Sequence, residues 1–307
     1  MISVWMSLAL AGGGDERIVN GSLEEDFPSV VSLAAGPIHV CSGSLITPRV
    51  VLSAAHCASG LPIDAITQFA RVHIGSDITD PDHTLELEDA LFHPDYIPLN
   101  GFDTGAFDFA VAILAKDAPV TPIPFRTRAF TDDDVGTIVQ SVGFGIDETG
   151  GGSGVKRSAP LLISDIDESF LISDSSDNEQ SANICSGDSG GPQYARVNGR
   201  YEQWSVHSWG DVDCRVTSGS TRTDIAADWI LDQVERIHGT RDICRAAGRY
   251  DDGWCDEGCP TPDPDCSPFV LGPREEAEVG GCNVSMNRVC SPFVILGLLA
   301  LSRRRSV

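Results

Sequence analysis

The sequence predicts an all-β fold, a sandwich or barrel of antiparallel strands followed by a single helix. Short apolar runs recur between turn signals from residue 18 to about 239: Val30-Val31-Ser32-Leu33, Val50-Val51-Leu52, Ala110 to Leu114, Thr137 to Val142 and Trp204 to Trp209. The 31 glycines and 18 prolines suit many strands joined by turns better than a helical bundle. Helical spacing is convincing only from Asp224 to His238, with Ile225, Trp229, Val234 and Ile237 roughly on one face. Asp224 is the expected N-cap there and Gly239 the expected stop. The stretches Gly150 to Gly154 and Ser173 to Gln180 are too polar and flexible for strands and read as surface loops.

A chain of 307 residues holds one large all-β domain plus an appendix. The formal net charge of -24 excludes nucleic acid or an anionic lipid surface as the main partner, because both would repel it. Ten cysteines imply disulfides and an oxidising compartment. Residues 1–11 read as a signal peptide: an apolar stretch from Ile2 ends in Ala9-Leu10-Ala11, although no Lys or Arg precedes it. After Gly239 the character changes. Residues 240–267 form a small cysteine-rich module, 268–281 a polar linker, and 282–307 an apolar tail ending in an arginine cluster.

Three separated motifs carry the chemistry: Ser53-Ala54-Ala55-His56-Cys57, Phe107-Asp108-Phe109-Ala110-Val111 and Cys185-Ser186-Gly187-Asp188-Ser189-Gly190-Gly191-Pro192. A serine hydroxyl becomes a useful nucleophile only when a neighbouring base takes its proton, and histidine titrates in the right range to do so. A buried carboxylate fixes the imidazole tautomer and stabilises the imidazolium. The glycines around Ser189 let the backbone turn sharply, so the N–H groups of Gly187 and Ser189 can face a developing oxyanion. The reading is therefore Ser189 as nucleophile, His56 as base and Asp108 as the group orienting it.

Taken together, in the order His, Asp, Ser, residues 18–239 resemble the trypsin/chymotrypsin-like serine protease family. That resemblance implies two six-stranded antiparallel β-barrels with a C-terminal helix, and an endopeptidase working through an acyl-enzyme on protein or peptide substrates. Arg17 followed by Ile18-Val19-Asn20-Gly21 is similar to the family's activation site, making residues 12–17 a short propeptide cut by an activating protease. The freed Ile18 amine would then pair with Asp188. The resemblance also implies disulfides Cys41–Cys57 and Cys185–Cys214, and support of Asp108 by Ser208. Gly143-Phe144-Gly145 stands where the family has Gly-Trp-Gly.

Counting back from Ser189 puts Asn183 at the floor of the primary specificity pocket, where relatives that cut after Lys or Arg have an aspartate. A neutral amide offers no countercharge to a buried cation, so a simple tryptic preference is not expected. Gly210 and Gly219 are expected in the pocket walls. Ser186 and His207 resemble the pair that contacts the substrate carboxylate in bacterial glutamate-specific relatives, so neutral, acidic and basic preferences all stay open. Asp211 and Asp213 at the pocket mouth weigh against the acidic one.

In the module, Cys244, Cys255, Cys259 and Cys266 allow zinc, but export favours two disulfides. Asp251, Asp252 and Asp256 offer hard oxygens of the kind calcium takes, although the triad chemistry requires no cofactor. The tail, with Cys282, an apolar run and Arg303-Arg304-Arg305, resembles the sorting tails of myxobacterial surface proteins. Its run from Val289 to Leu301 would span about 20 Å as a helix, short of a bilayer core of roughly 30 Å. The expected location is secreted, or at the cell surface after export. The competing reading is a catalytically silent binding protein on the same fold.

Overall fold

The computed structural model describes Ile18 and residues 21–96, 105–175 and 182–266. The expectations placed on residues 1–17, including the Arg17 cleavage site, and on the linker and tail from 268 to 307 lie outside the described residues.

Strand β1 (Ser22–Leu23) precedes six strands that close into a barrel: β2 (Val30–Ala35), β3 (Ile38–Leu45), β4 (Val50–Ser53), β5 (Ala70–Ile74), β6 (His83–Phe92) and β7 (Ala110–Leu114). Their order around the barrel is β2-β3-β4-β7-β6-β5, every pair antiparallel. The side-chain alternation that specifies such a barrel is plain in β6, where Leu85 and Leu87 are buried while Thr84, Glu86 and Glu88 face water. Val31, Leu45, Val51, Val72, Ile74 and Leu114 fill the interior with them. A short helix, α1 (Ile63–Phe69), follows the His56 segment and buries Ile66 against this core.

The second half of the fold is an eight-stranded antiparallel sheet. It is built from β1, β8 (Ile138–Gly143), β9 (Arg157–Leu162), β10 (Asp165–Ile166), β11 (Phe170–Asp174), β12 (Pro192–Val197), β13 (Arg200–Gly210) and β14 (Thr217–Arg222). The order is β1-β9-β8-β12-β13-β14-β11-β10, so two-residue strands lie at both edges. The chain bends at Ile163-Ser164: β9 pairs with β8, and β10, just past the bend, pairs with β11. The Ser164 N–H donates to the Ile172 carbonyl at 2.8 Å, so one bent strand curls the sheet back on itself. The architecture is chymotrypsin-like.

Two local expectations are corrected. Ser173 and Asp174 belong to β11, paired with Ser218 and Thr217, rather than to a surface loop. Asp224 does not cap the helix. The turn Thr223–Ala226 is 3-10 and α2 runs Ala227–His238, because the Asp224 carboxylate is held by Arg222 and by the Phe130 N–H. Gly239 does end the helix, in the left-handed conformation at φ 70° that glycine adopts without strain. Ile230 and Val234 anchor α2 in a core shared with Ile46, Leu52, Phe109 and Val206, where the barrel meets the sheet.

The cysteine-rich module continues that core. Helix α3 (Ile243–Ala246), capped by the Asp242 carboxylate, adds Ile243, Cys244 and Ala246 to it. Disulfides Cys244–Cys259 and Cys255–Cys266 fold the rest over it, and the Arg249 guanidinium donates to the Pro122 carbonyl. Among the described residues, no helix is long and apolar enough to cross a membrane.

Candidate active site

His56 lies in the 3-10 turn Ala55–Cys57, immediately after β4, where the Cys41–Cys57 disulfide ties that turn to β3. Asp108 lies just before β7 and is fully buried. Its neighbour Phe107 has φ 59°, a left-handed conformation that costs a bulky residue strain, and its ring stacks on His93 at 4.6 Å. The Asp108 carboxylate accepts three hydrogen bonds. The His56 backbone N–H donates to Oδ1 (2.9 Å), while His56 Nδ1 and Ser208 Oγ both donate to Oδ2 (2.7 Å each). Because a carboxylate only accepts, the imidazole proton sits on Nδ1 and Nε2 keeps its lone pair.

Ser189 is carried by a tight loop between Cys185 and β12. The Asp188 N–H donates to the Cys185 carbonyl (3.0 Å) and the Gly191 N–H to the Asp188 carbonyl (2.8 Å). The loop is fastened to both halves of the molecule: the Ser189 carbonyl accepts from the Ser42 N–H of β3, and the Gly190 N–H donates to the His207 carbonyl of β13, each at 2.8 Å. The Cys185–Cys214 disulfide holds its other end. Gly187, at φ 94°, makes the turn that an L side chain rarely adopts. Among the described residues, neither the Gly187 nor the Ser189 N–H meets an acceptor, so both are available to an oxyanion.

The carboxylate of Asp188 is fully buried behind this loop. It accepts from the N–H groups of Gly145 (2.8 Å) and Cys185 (2.9 Å), and burial pushes its pKa up to about 6. Gly143 and Gly145 make its seat, because a Cβ on either would collide with the carboxylate. Phe144 between them is buried. Ile18 is buried to 1% exposure at φ 44°, a strained conformation for a β-branched residue.

Sequence reasoning missed Ser32, His39 and Ser42. The Gly187 carbonyl accepts from His39 Nε2 and from Ser42 Oγ, both at 2.9 Å, while Ser32 Oγ donates to His39 Nδ1 at 2.7 Å. This chain props the back of the Ser189 loop. Burial lowers the His39 pKa, keeping the ring neutral as these bonds require. No motif signals it, since the residues are spread over two strands whose pairing brings them together.

The specificity residues divide. Asn183 and His207 are fully buried and Ser186 is exposed. Gly210 lies opposite Ser218 on β14. Gly219, expected in the pocket wall, follows Ser218 on β14. It lies opposite Trp209, and a Cβ there would run into the indole. Asp211 is not a free charge at the mouth, because its carboxylate accepts from the N–H groups of Asp213, Arg215, Val216 and Thr217. Acidic groups of the module lie beside a guanidinium. Asp252 is 2.9 Å from the Arg200 guanidinium and Asp256 3.4 Å from it, so a cation of the protein already serves them. Among the described residues, the one cluster with metal-site spacing is Cys41, His56 and Cys57, whose sulfurs are joined in the disulfide.

A barrel and a curled antiparallel sheet meeting at a serine loop and at a histidine held by a buried aspartate define the class of chymotrypsin-like serine proteases. The chain belongs to the trypsin family, whose profile matches residues 18–230. It is 29% identical over 239 residues to brachyurin of Leptuca pugilator, covering 72% of this chain and 97% of that protein. It is 27% identical over 262 residues to lectizyme of Glossina austeni, covering 75% of this chain and 90% of that one. Against serine protease ea of Drosophila melanogaster it is 26% identical over 240 residues, 64% of this chain, and it spans only 60% of that relative's length.

Proposed function

We propose that this chain is a secreted or surface-attached serine endopeptidase that hydrolyses peptide bonds through an acyl-enzyme formed on Ser189. The observation that carries the reading is the His56 tautomer: Nδ1–H is committed to fully buried Asp108, which leaves Nε2 as a base, and the neighbouring Cys57 Sγ lies 3.9 Å from the Ser189 carbonyl. As Ser189 Oγ attacks the scissile carbonyl carbon, its proton passes to His56 Nε2 and the carbonyl electron pair moves onto oxygen. The N–H groups of Gly187 and Ser189 receive that oxyanion, each such donor being worth about 3 kcal/mol in the transition state. Collapse expels the amine, which takes its proton from the imidazolium, and water repeats the sequence on the acyl-enzyme.

Activation by cleavage after Arg17 belongs to this reading. Asp188 is a buried carboxylate with two amide donors and, among the described residues, no cation in ion-pair contact. A freed Ile18 ammonium would supply one. With neutral Asn183 at its floor, the pocket does not favour Lys or Arg. Residues 1–11 would direct export. The tail around Cys282 would hold the enzyme at the cell surface or be removed there.

The test is labelling by a fluorophosphonate before and after controlled cleavage at Arg17. Labelling should rise on cleavage and vanish in Ser189→Ala. A cleaved, folded chain that never labels would be the catalytically silent binding protein instead.

A further inference from the structure

One face of the second sheet holds polar side chains that neither the fold nor the catalytic chemistry uses. In antiparallel pairs, residues directly opposite share a face. His207 is opposite Ser220, Gly210 is opposite Ser218, and Ser218 is opposite Ser173 on the other side. The Ile184 carbonyl lies 3.3 Å from where a Gly210 side chain would begin, which brings the Asn183–Ile184 segment to the same place.

Asn183, His207 and Ser220 have no exposure, and Ser218 and Ser173 have 1% and 2%. Asn183 Nδ2, His207 Nε2, Ser218 Oγ, Ser220 Oγ and Ser173 Oγ all lack a hydrogen-bond partner among the described residues. Folded proteins leave few buried polar atoms unpaired, because each one loses its hydrogen bonds to water without replacement. Five in one place call for a polar group from outside.

The chemistry of the five selects that group. His207 Nδ1 lies 3.1 Å from the Asp188 carbonyl, which can only accept, so Nδ1 carries the proton and Nε2 is an acceptor. Burial drives the His207 pKa down to about 4, so the ring stays neutral at working pH. Asn183 Nδ2 can only donate, and the serine hydroxyls do either. The site therefore presents an acceptor, a donor and adaptable hydroxyls, with no formal charge.

We propose that this buried cluster, beside exposed Gly210, selects a primary carboxamide, so that the enzyme cuts after glutamine or asparagine, the amide NH2 donating to His207 Nε2 and its oxygen accepting from Asn183. A carboxylate has no proton for His207 Nε2. An ammonium or guanidinium finds no countercharge, and an aliphatic side chain leaves all five atoms unpaired. The proposal rests on Ser189 being the nucleophile.

The experiment uses the full chain cut at Arg17, titrated with a fluorophosphonate, and peptides differing only in the residue before the scissile bond: Gln, Asn, Glu, Asp, Arg or Leu. At pH 8, kcat/KM for at least one amide should exceed its own acid, Arg and Leu by about tenfold or more. In Ser220→Ala and His207→Leu the ratio of that amide to Leu should fall by about tenfold. Labelling with a preference for Glu, Asp, Arg or Leu overturns the carboxamide assignment and leaves the protease reading intact. Preference for an amide that both variants retain overturns the role of these residues. A cut chain that does not label overturns both readings.

Discussion

Trp209 occupies the space that a side chain on Gly219 would need: a Cβ there would overlap the indole carbons and Nε1. The contact follows from a register shift between His207 and Trp209 in β13, which sets Trp209 opposite Gly219 and Gly210 opposite Ser218. Gly219→Ala must therefore displace Trp209, and overpacking of this kind costs about 1–3 kcal/mol. Thermal melting should show that loss, and kcat/KM should fall with it, because β13 is the strand beside the active site. Gly210→Ala meets nothing nearer than 3.3 Å and should keep the wild-type melting temperature more closely.

The three donors on Asp108 do unequal work. Asp108→Asn would present an amide to His56 Nδ1 and force the proton onto Nε2, removing the base, so kcat should drop on the order of 10⁴-fold. Ser208→Ala removes the hydroxyl bond to the Asp108 carboxylate, worth about 1.5–3 kcal/mol, and leaves the tautomer alone. Its kcat should fall about ten- to a hundredfold with KM little changed. Steady-state kinetics on both variants check the order; equal losses would mean that Ser208, not the tautomer, governs the histidine.

What was legible in the sequence was local. The motifs around His56, Asp108 and Ser189 are contiguous, and the alternation in β6 and the unbroken apolar runs in β4 and β7 announce strands directly. What was not legible depends on how strands pair. Counting residues does not reveal the β13 bulge, which pairs Trp209 with Gly219 and Gly210 with Ser218. Ser32, His39 and Ser42 support the nucleophile loop only because β2 and β3 pair in register and face it. Asp224 looked like a cap because its spacing is right, but Arg222 claims it first. The module seemed separate by composition, yet Ile243 and Cys244 complete the core of the domain before it.

The module should be held by its disulfides rather than by an ion. Since Arg200 already serves Asp252 and Asp256, excess EDTA should leave the melting temperature unchanged. Replacing Cys244 and Cys259 together by alanine opens a loop with a sequence separation of 15 residues. That should cost roughly 3 kcal/mol, read as a lower melting temperature for the full chain. A drop in melting temperature on chelation would contradict the donor geometry.

Cleavage after Arg17 should stabilise the protein, and the pH dependence identifies the cause. In the uncut chain, burial raises the Asp188 pKa from 3.8 to about 6. A carboxylate raised in the folded state disfavours folding once it ionises. The penalty is absent below about pH 4 and fully present above about pH 6, and two pKa units correspond to about 3 kcal/mol. An Ile18 α-ammonium, protonated at neutral pH, would offset that penalty where it exists, at pH 7, and have little to offset at pH 4. Cutting also frees Ile18 from its strained φ of 44°, but relief of backbone strain does not depend on pH. Melting of the Ser189→Ala chain, cut and uncut, at both pH values separates the two. The gain on cutting should be several degrees at pH 7 and shrink markedly at pH 4. An equal gain at both would assign it to Ile18 strain and remove Asp188 from the activation step.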